Sequence, residues 1–164
     1  MRCISSFFIT VIALSHIAFG APGEFTPVKI SGKEGMIVPE SVLRRSALSA
    51  EGYWTPTKTE LVEAERRLPQ FLQKELRSLP ALADLSIVVA QAPRYRRQYI
   101  GMISGGRKII WINCFPAKPP EGPDPFENWN REIIDVSDGG SKYWGAIFDV
   151  KKQSFERLIL NGPG

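Results

Sequence analysis

The sequence has little histidine and little cysteine. Among its 164 residues there are one histidine, His16, and two cysteines, Cys3 and Cys114. A zinc site of several histidine or cysteine ligands, an iron–sulfur cluster and a disulfide framework are therefore excluded. His16 and Cys3 both lie among the first 20 residues, so a chain cleaved after residue 20 would have no imidazole base for Ser-His-Asp or Cys-His catalysis.

Motifs for binding nucleotides and calcium are missing as well. There is no Gly-x-x-x-x-Gly-Lys phosphate loop and no Asp-x-Asp-x-Asp-Gly calcium loop. The net charge is only +4, from 21 basic and 17 acidic residues, which is far below that of a typical dedicated nucleic-acid-binding protein. We therefore expect no cofactor, no metal ion and no nucleic-acid partner.

The first 20 residues have the pattern of a secretory signal peptide. Arg2 supplies a positive charge, residues 7–14 form an apolar run, and Ala18-Phe19-Gly20 places small residues at positions −3 and −1 of a cleavage before Ala21. The run is shorter than the ~20 apolar residues of a spanning helix. We predict an exported protein, periplasmic or secreted, without a transmembrane segment after cleavage.

The rest of the chain is predicted to comprise an extended leader and one domain. Glycine and proline recur through residues 21–52, which favours an extended, partly ordered segment. Residues 53–164 follow as a single domain, because the chain has the length of one ordinary domain and 43% hydrophobic residues.

One long helix is predicted at the start of this domain. Thr57 and Glu60 have the spacing of a capping box, apolar residues recur at helical spacing over 61–76, and Pro80 ends the element. Pro69 lies inside it and lacks the N–H of a helical bond, so we expect either a kink or two shorter helices meeting there.

Strands are predicted for the remainder. Gly105-Gly106 and the tetrapeptide 138–141 (Asp-Gly-Gly-Ser) each separate two apolar stretches, as hairpin turns do. Consecutive hairpins give antiparallel pairing. The predicted fold class is α+β, with one main helix packed on an antiparallel meander of about six strands, cystatin-like by analogy. The predicted strands are residues 85–90, 97–104, 107–115, 131–137, 142–149 and 153–160.

Four residues are candidates for contact with a partner. Arg94, Arg96 and Arg97 interleave with aromatic residues, and Trp129 follows a proline-rich loop, where binding residues occur more often than in strands. The simpler explanation of the arginines is a solvated strand edge whose charges prevent aggregation. The sequence favours an exported, non-catalytic domain that binds a macromolecular partner, either a protein or an envelope polymer.

Two other functions stay open. Glu127, Glu132, Asp135 and Asp138 could supply a carboxylate pair for a hydrolase acting on envelope glycans. A structural envelope component that self-associates through an exposed edge or apolar patch is the other possibility. Cys114 is expected to be a small buried apolar side chain and not a reactive thiol.

Four short motifs resemble those of a set of small exported bacterial proteins. The resemblance covers residues 54–164 and implies a single small exported domain. It implies no activity and transfers no catalytic or binding residue. The motifs are Arg97-Gln98-Tyr99-Ile100-Gly101, Ile112-Asn113-Cys114-Phe115, Asp138-Gly139-Gly140 and Asn161-Gly162.

Overall fold

The computed structural model describes residues 23–78 and 83–162. The predicted signal peptide, residues 1–20, lies outside these described residues. Within them, no helix combines the length and the apolar composition that crossing a membrane requires.

In the described part of the chain, seven strands form one sheet. They are β1 (Thr26–Ile30), β2 (Lys33–Ile37), β3 (Gly52–Trp54), β4 (Tyr95–Ser104), β5 (Arg107–Pro116), β6 (Trp144–Asp149) and β7 (Ser154–Leu160). Their order is β1-β2-β4-β5-β6-β7, and β3 also pairs with β4. β2 is parallel to β4, whereas the other pairings are antiparallel. The predicted α+β class is confirmed.

The described residues also include three α-helices: α1 (Glu40–Leu43), α2 (Lys58–Ser78) and α3 (Ala83–Gln91). The predicted capping box begins α2. The Glu60 carboxylate accepts a 2.8 Å hydrogen bond from the Thr57 N–H, and the Thr57 hydroxyl accepts one of 3.4 Å from the Glu60 N–H. The helix continues through Pro69, so the alternative of two shorter helices is wrong. Buried Leu68 and Leu72, on either side of Pro69, hold both parts against the core.

The hairpin predicted at Gly105-Gly106 is confirmed. β4 and β5 pair along their whole length, from Tyr95 with Pro116 to Ser104 with Arg107. Both glycines have a positive φ, 57° and 68°, which a two-residue type I′ turn requires. The predicted pairing of β6 with β7 is confirmed as well.

Residues 85–90 lie in α3, so the strand predicted there is wrong. Leu85 and Val88 are both 0% exposed, whereas Ile87 between them is 45% exposed. This spacing is helical, because residues three apart share one face of a helix. A short apolar run does not distinguish helix from strand by periodicity alone, and packing of α3 on α2 determines the outcome here.

The strand predicted at 131–137 and the hairpin predicted at 138–141 are also wrong. Residues 131–137 form no strand, and Gly140–Lys142 is a short 3₁₀ helix that follows Gly139 at φ 92°. Both edges of β6 are occupied, one by β5 and the other by β7. No edge of β6 is therefore left for residues 131–137 to pair with.

Residues 26–37 form β1 and β2, so the expectation of an extended leader over 21–52 is wrong for this stretch. Ile30 and Ile37 are 3% and 8% exposed and belong to the main core. The long connection from β2 to β4, which contains α2, permits their parallel pairing. The expected domain boundary after residue 52 falls inside β3.

Alternation along β4 and β5 gives the sheet two differently covered faces. On one, which we call the helix face, Tyr99 and Ile112 share a core with Leu68 of α2. On the other, the loop face, Ile100 packs with Val38 and with Leu43 of α1. Successive residues of β4 therefore belong to different layers of the molecule.

Candidate partner-binding surface

Residues 117–139 connect β5 to the 3₁₀ turn before β6 without forming a helix or strand. We call this segment the clamped loop. It lies over the loop face, where the rings of Phe126 and Trp129 meet Phe115 of β5 at centroid distances of 5.3 and 6.0 Å. Irregular segments longer than about 15 residues are uncommon in compact domains unless they are functional or disordered.

A buried glutamine of the sheet holds the clamped loop in place. Gln98 is 0% exposed. Its Nε2 donates to the carbonyls of Trp129 and Glu132 at 2.8 and 2.6 Å, and its Oε1 accepts from the N–H of Ile134 at 2.9 Å. One side chain thus replaces the backbone partners that a neighbouring strand would have supplied.

Two asparagines extend this anchoring along the loop. Asn113 of β5 donates from Nδ2 to the Ile134 carbonyl at 2.7 Å. Asn161, just after β7, donates to the Val136 carbonyl. Side-chain amides of two sheet residues, Gln98 and Asn113, and of Asn161 after β7 therefore fix the path of the second half of the loop.

Arg96 fixes the first half of the loop. Its guanidinium carbon lies 5.0 Å from the centroid of the Trp129 ring, a cation–π distance. Its Nη1 is 3.1 and 2.8 Å from the two carboxylate oxygens of Asp124. Burial raises the pKa of Asp124, but the Phe126 N–H and the Arg96 guanidinium outweigh burial and hold this pKa below its ordinary value. Arg96 is consequently an oriented, paired cation.

The structure separates the four predicted contact residues. Arg96 and half-buried Trp129 come together, and Arg94 is exposed in the 3₁₀ turn before β4. Arg97 is 0% exposed on the helix face, so its prediction as a partner-binding residue is wrong. Alternation along β4 turns it inward, where it lies 2.6 Å from a carboxylate oxygen of Glu65.

A groove of about 390 Å³ adjoins the clamped loop. Half-buried Val42, Leu48 and Ile133 contribute apolar side chains to its lining, and exposed Arg45 and Arg131 contribute charge. Sequence reasoning missed this groove, because one wall comes from residues assigned to the leader and the other from a segment assigned to a strand. Neither wall has a motif that would have revealed it.

The carboxylates considered for hydrolysis are all exposed parts of the clamped loop. Glu132 and Asp135 line the groove, whereas Glu127 and Asp138 do not. Among residues 23–78 and 83–162, no three histidine, cysteine, aspartate or glutamate side chains are grouped as metal ligands would be. The groove is thus a mixed apolar and charged surface, suited to contact with another molecule.

Cys114 is buried on the helix face, as expected. It is 0% exposed, and burial raises the pKa of its thiol to about 12. Its Sγ lies 3.9 Å from the Ile112 carbonyl. The thiolate that nucleophilic chemistry requires is therefore strongly disfavoured.

No family model matches this sequence, and comparison with curated proteins and with solved structures finds no similar chain.

Proposed function

We propose that this chain is an exported, non-catalytic domain that binds a macromolecular partner, a protein or an envelope polymer, through the clamped loop and the adjoining groove. The strongest support for this proposal is the way in which the Gln98 side chain holds the clamped loop. A fully buried side chain directs three hydrogen bonds to the backbone of an irregular surface segment. Buried polar groups of this kind hold a specific local structure.

The length of the clamped loop supports the same conclusion. Adjacent antiparallel strands such as β5 and β6 can be joined by two to five residues. Ordering a much longer connection costs conformational entropy, and loops held on a rigid scaffold commonly carry binding residues. The proposed contacts are Arg94, Arg96 and Trp129, together with Arg45 and Arg131 at the groove.

Hydrolysis of envelope glycans is the second candidate, and one observation favours it. Glu132 and Asp135 border the same groove, as a carboxylate pair acting on a bound glycan would. Both side chains are exposed, however, whereas a general acid at neutral pH usually needs a buried, water-excluded setting. A binding site does not need a buried general acid, so binding without catalysis agrees better with the exposed carboxylates of this groove.

Export is tested by expressing the complete sequence and determining the N-terminal residue of the protein recovered from envelope and medium. The expected N-terminus is Ala21, directly after the predicted cleavage. Recovery of the uncleaved chain in the cytoplasm would refute export.

Partner binding is tested with charge reversals in three otherwise intact chains. Arg45→Glu and Arg131→Glu change the groove, and Arg66→Glu is the matched control on the exposed side of α2. Each chain is immobilised and incubated with envelope and secreted fractions, and captured species are identified by mass spectrometry. We expect a stoichiometric partner that the wild type and Arg66→Glu retain and the groove variants lose. Equal capture by all four chains would contradict the assigned surface.

The hydrolase alternative is tested on the same preparations. Release of soluble fragments from peptidoglycan or polysaccharide by the wild type, abolished in Asp135→Asn or Glu132→Gln, would replace the binding proposal with catalysis. Absence of turnover together with groove-dependent capture is the result that we expect.

A further inference from the structure

A small pocket of about 50 Å³ lies on the loop face, between β5 and the second half of the clamped loop. Alternation along β5 directs one set of its side chains to this face, and Trp111, Asn113 and Phe115 of that set line the pocket. Asp135 borders both the pocket and the groove, so the two are adjacent at this residue. None of the contacts proposed for the partner lies in the pocket.

Two asparagines, Asn113 and Asn161, line this pocket and offer it hydrogen-bond acceptors. Asn113 Nδ2 donates to the Ile134 carbonyl at 2.7 Å and to Gln98 Oε1 at 3.4 Å. Asn161 Nδ2 donates to two carbonyls of the clamped loop. Both residues are half-buried, and neither Oδ1 is among the fully buried atoms that lack a partner. Because the nitrogens are committed to the loop, the two amide oxygens are the groups left for a ligand.

Asp135 adds a negative charge to these acceptors. Its side chain is exposed, and it has no ion-pair partner among residues 23–78 and 83–162. The pocket thus combines one carboxylate with two amide oxygens. A positively charged group that only donates hydrogen bonds matches this set. A primary ammonium is such a group, because it has three N–H donors and no acceptor.

Aromatic residues supply much of the remaining wall. Trp111, Phe115 and Tyr143 line the pocket, and Tyr143 is in edge-to-face contact with Phe126 at a centroid distance of 5.9 Å. Aromatic rings attract a cation through their negative faces, and they pack against the methylene groups of a lysine side chain. A calcium ion takes about six to eight oxygen ligands, more than these residues offer, so an organic cation is the better match.

We propose that this pocket binds the ammonium group of a lysine side chain of the partner, which is a protein. The ammonium donates to the Asp135 carboxylate, Asn113 Oδ1 and Asn161 Oδ1, and the lysine methylenes lie against the aromatic wall. One water-sized group occupies about 10–15 Å³ of such a volume, so about 50 Å³ takes the ammonium and the last methylenes of the side chain. This inference rests on the proposed function, in which the adjacent groove holds the partner.

The adjacent groove favours a protein as the source of the ammonium. Val42, Leu48 and Ile133 line the groove, so the segment that carries the lysine meets apolar side chains there. A protein chain supplies matching apolar residues next to a lysine, whereas an amine-bearing glycan is polar along its length. Arginine is a poorer match for the pocket, because its planar guanidinium has five donors in a rigid arrangement.

The first test is an NMR titration of the isotope-labelled protein, expressed from its complete sequence, with Nα-acetyl-lysine N-methylamide. The side-chain NH₂ signals of Asn113 and Asn161 report on the pocket directly, and we expect both to shift saturably. The same amides of norleucine and arginine should bind about tenfold more weakly or not at all, because norleucine lacks the charged donor and arginine fits the acceptors poorly. The proposal is overturned if the lysine probe gives no saturable shift, or if either other probe binds as tightly.

A pair of variants locates the site. Asp135→Asn removes the negative charge and keeps the size of the side chain. Asp138→Asn is its matched control, because Asp138 is an exposed carboxylate of the same loop that does not line the pocket. Both positions are exposed, so we expect both variants to fold. The lysine probe should bind Asp135→Asn about tenfold more weakly and Asp138→Asn like the wild type. Equal affinities of the two variants would overturn the assignment.

The same variants extend the test to the partner captured through the groove. The captured complex is treated briefly with an acetylating reagent, and mass spectrometry identifies partner lysines that are protected. We expect one lysine to be protected by Asp138→Asn and to become reactive with Asp135→Asn. Groove-dependent capture without such a lysine would refute the ammonium pocket and leave the proposed function standing. Capture of a glycan alone would refute the protein source. Absence of groove-dependent capture would refute the proposed function, and this partner with it, even if the lysine probe binds.

Discussion

Arg96 and Arg97 are neighbours in sequence, but their guanidinium groups lie on opposite faces of the sheet. Arg96 lies over the ring of Trp129 at 5.0 Å, and Arg97 lies 2.6 Å from Glu65 beneath α2. Alternation along a strand produces this separation. Removing the one side chain or the other should therefore change the stability of the fold by different amounts.

Replacing Arg97 with alanine is expected to destabilise the fold strongly. Glu65 would remain buried with the 3.4 Å pair to Lys33 and the 3.0 Å hydrogen bond from the Tyr99 hydroxyl, and breaking a buried ion pair by removing one partner costs about 3–5 kcal/mol. Arg96→Ala is the matched control and should cost much less, because it leaves no carboxylate buried in the core. Urea unfolding measures both free energies. Equal losses for the two variants would contradict the different roles assigned to these arginines.

Replacing Gln98 with leucine is expected to release the clamped loop. The carbonyls of Trp129 and Glu132 and the N–H of Ile134 would lose their partner. Unsatisfied buried polar groups cost about 1–3 kcal/mol each, so we expect a loss of about 2–4 kcal/mol after partial rehydration. Hydrogen exchange at the Ile134 amide should accelerate, while amides of α2 remain protected.

Gln70→Leu is the control for this experiment, because Gln70 lies exposed on α2. It should change neither the exchange at Ile134 nor the capture of a partner. If Gln98→Leu also leaves both unchanged, the buried amide does not hold the loop, and the principal support for the proposed binding surface is lost.

The elements that the sequence predicted correctly are those with local signals. The Thr57–Glu60 capping box and the Gly105-Gly106 turn each act over a few residues, and both are present. The assignment of residues 85–90 to a strand failed because their apolar run is too short to reveal its period. Contact with α2, which lies outside that window, makes this stretch a helix.

The candidate site was less predictable, because its interactions join distant residues. The Ile134 N–H reaches Gln98, 36 residues away, and the Ile134 carbonyl reaches Asn113, 21 residues away. The apolar residues of 131–137 resembled a strand, but Ile133 packs against the core around Ile100 and the Ile134 N–H bonds to the Gln98 side chain. Alternation along a strand places Arg96 and Arg97 on opposite faces of the sheet. This could not be predicted, because the strand predicted from the sequence began at Arg97 and did not include Arg96.

The Cys114 thiol is expected to react only when the protein unfolds. Burial raises the pKa of the Cys114 thiol to about 12, which disfavours the reactive thiolate at pH 8, and the side chain has no exposed surface. In a Cys3→Ser background, labelling by a chromogenic disulfide reagent should therefore be slow in buffer and fast in denaturing urea. The labelling rate should follow the unfolding equilibrium. Rapid stoichiometric labelling in buffer would contradict the buried position of Cys114.

The ion pair between Asp124 and Arg96 is expected to persist into acid. Burial opposes ionisation of Asp124, but the Phe126 N–H and Arg96 hold its pKa below the ordinary value. Because the folded pKa is lower than the unfolded pKa of about 3.9, the carboxylate stabilises the folded loop fully above that pH. This contribution is lost as the pH falls through the folded pKa.

Fluorescence of Trp129 reports this transition, because Arg96 lies over its ring. We expect an acid-induced change in the difference spectrum between the wild type and Trp129→Phe, with its midpoint below the ordinary pKa of aspartate. Asp124→Asn should abolish this step, because its amide does not titrate. Asp138→Asn, an exposed change in the same loop, should retain it. If the fluorescence step is identical in the wild type and Asp124→Asn, another group is titrating, and the assignment to the pair of Asp124 and Arg96 is wrong.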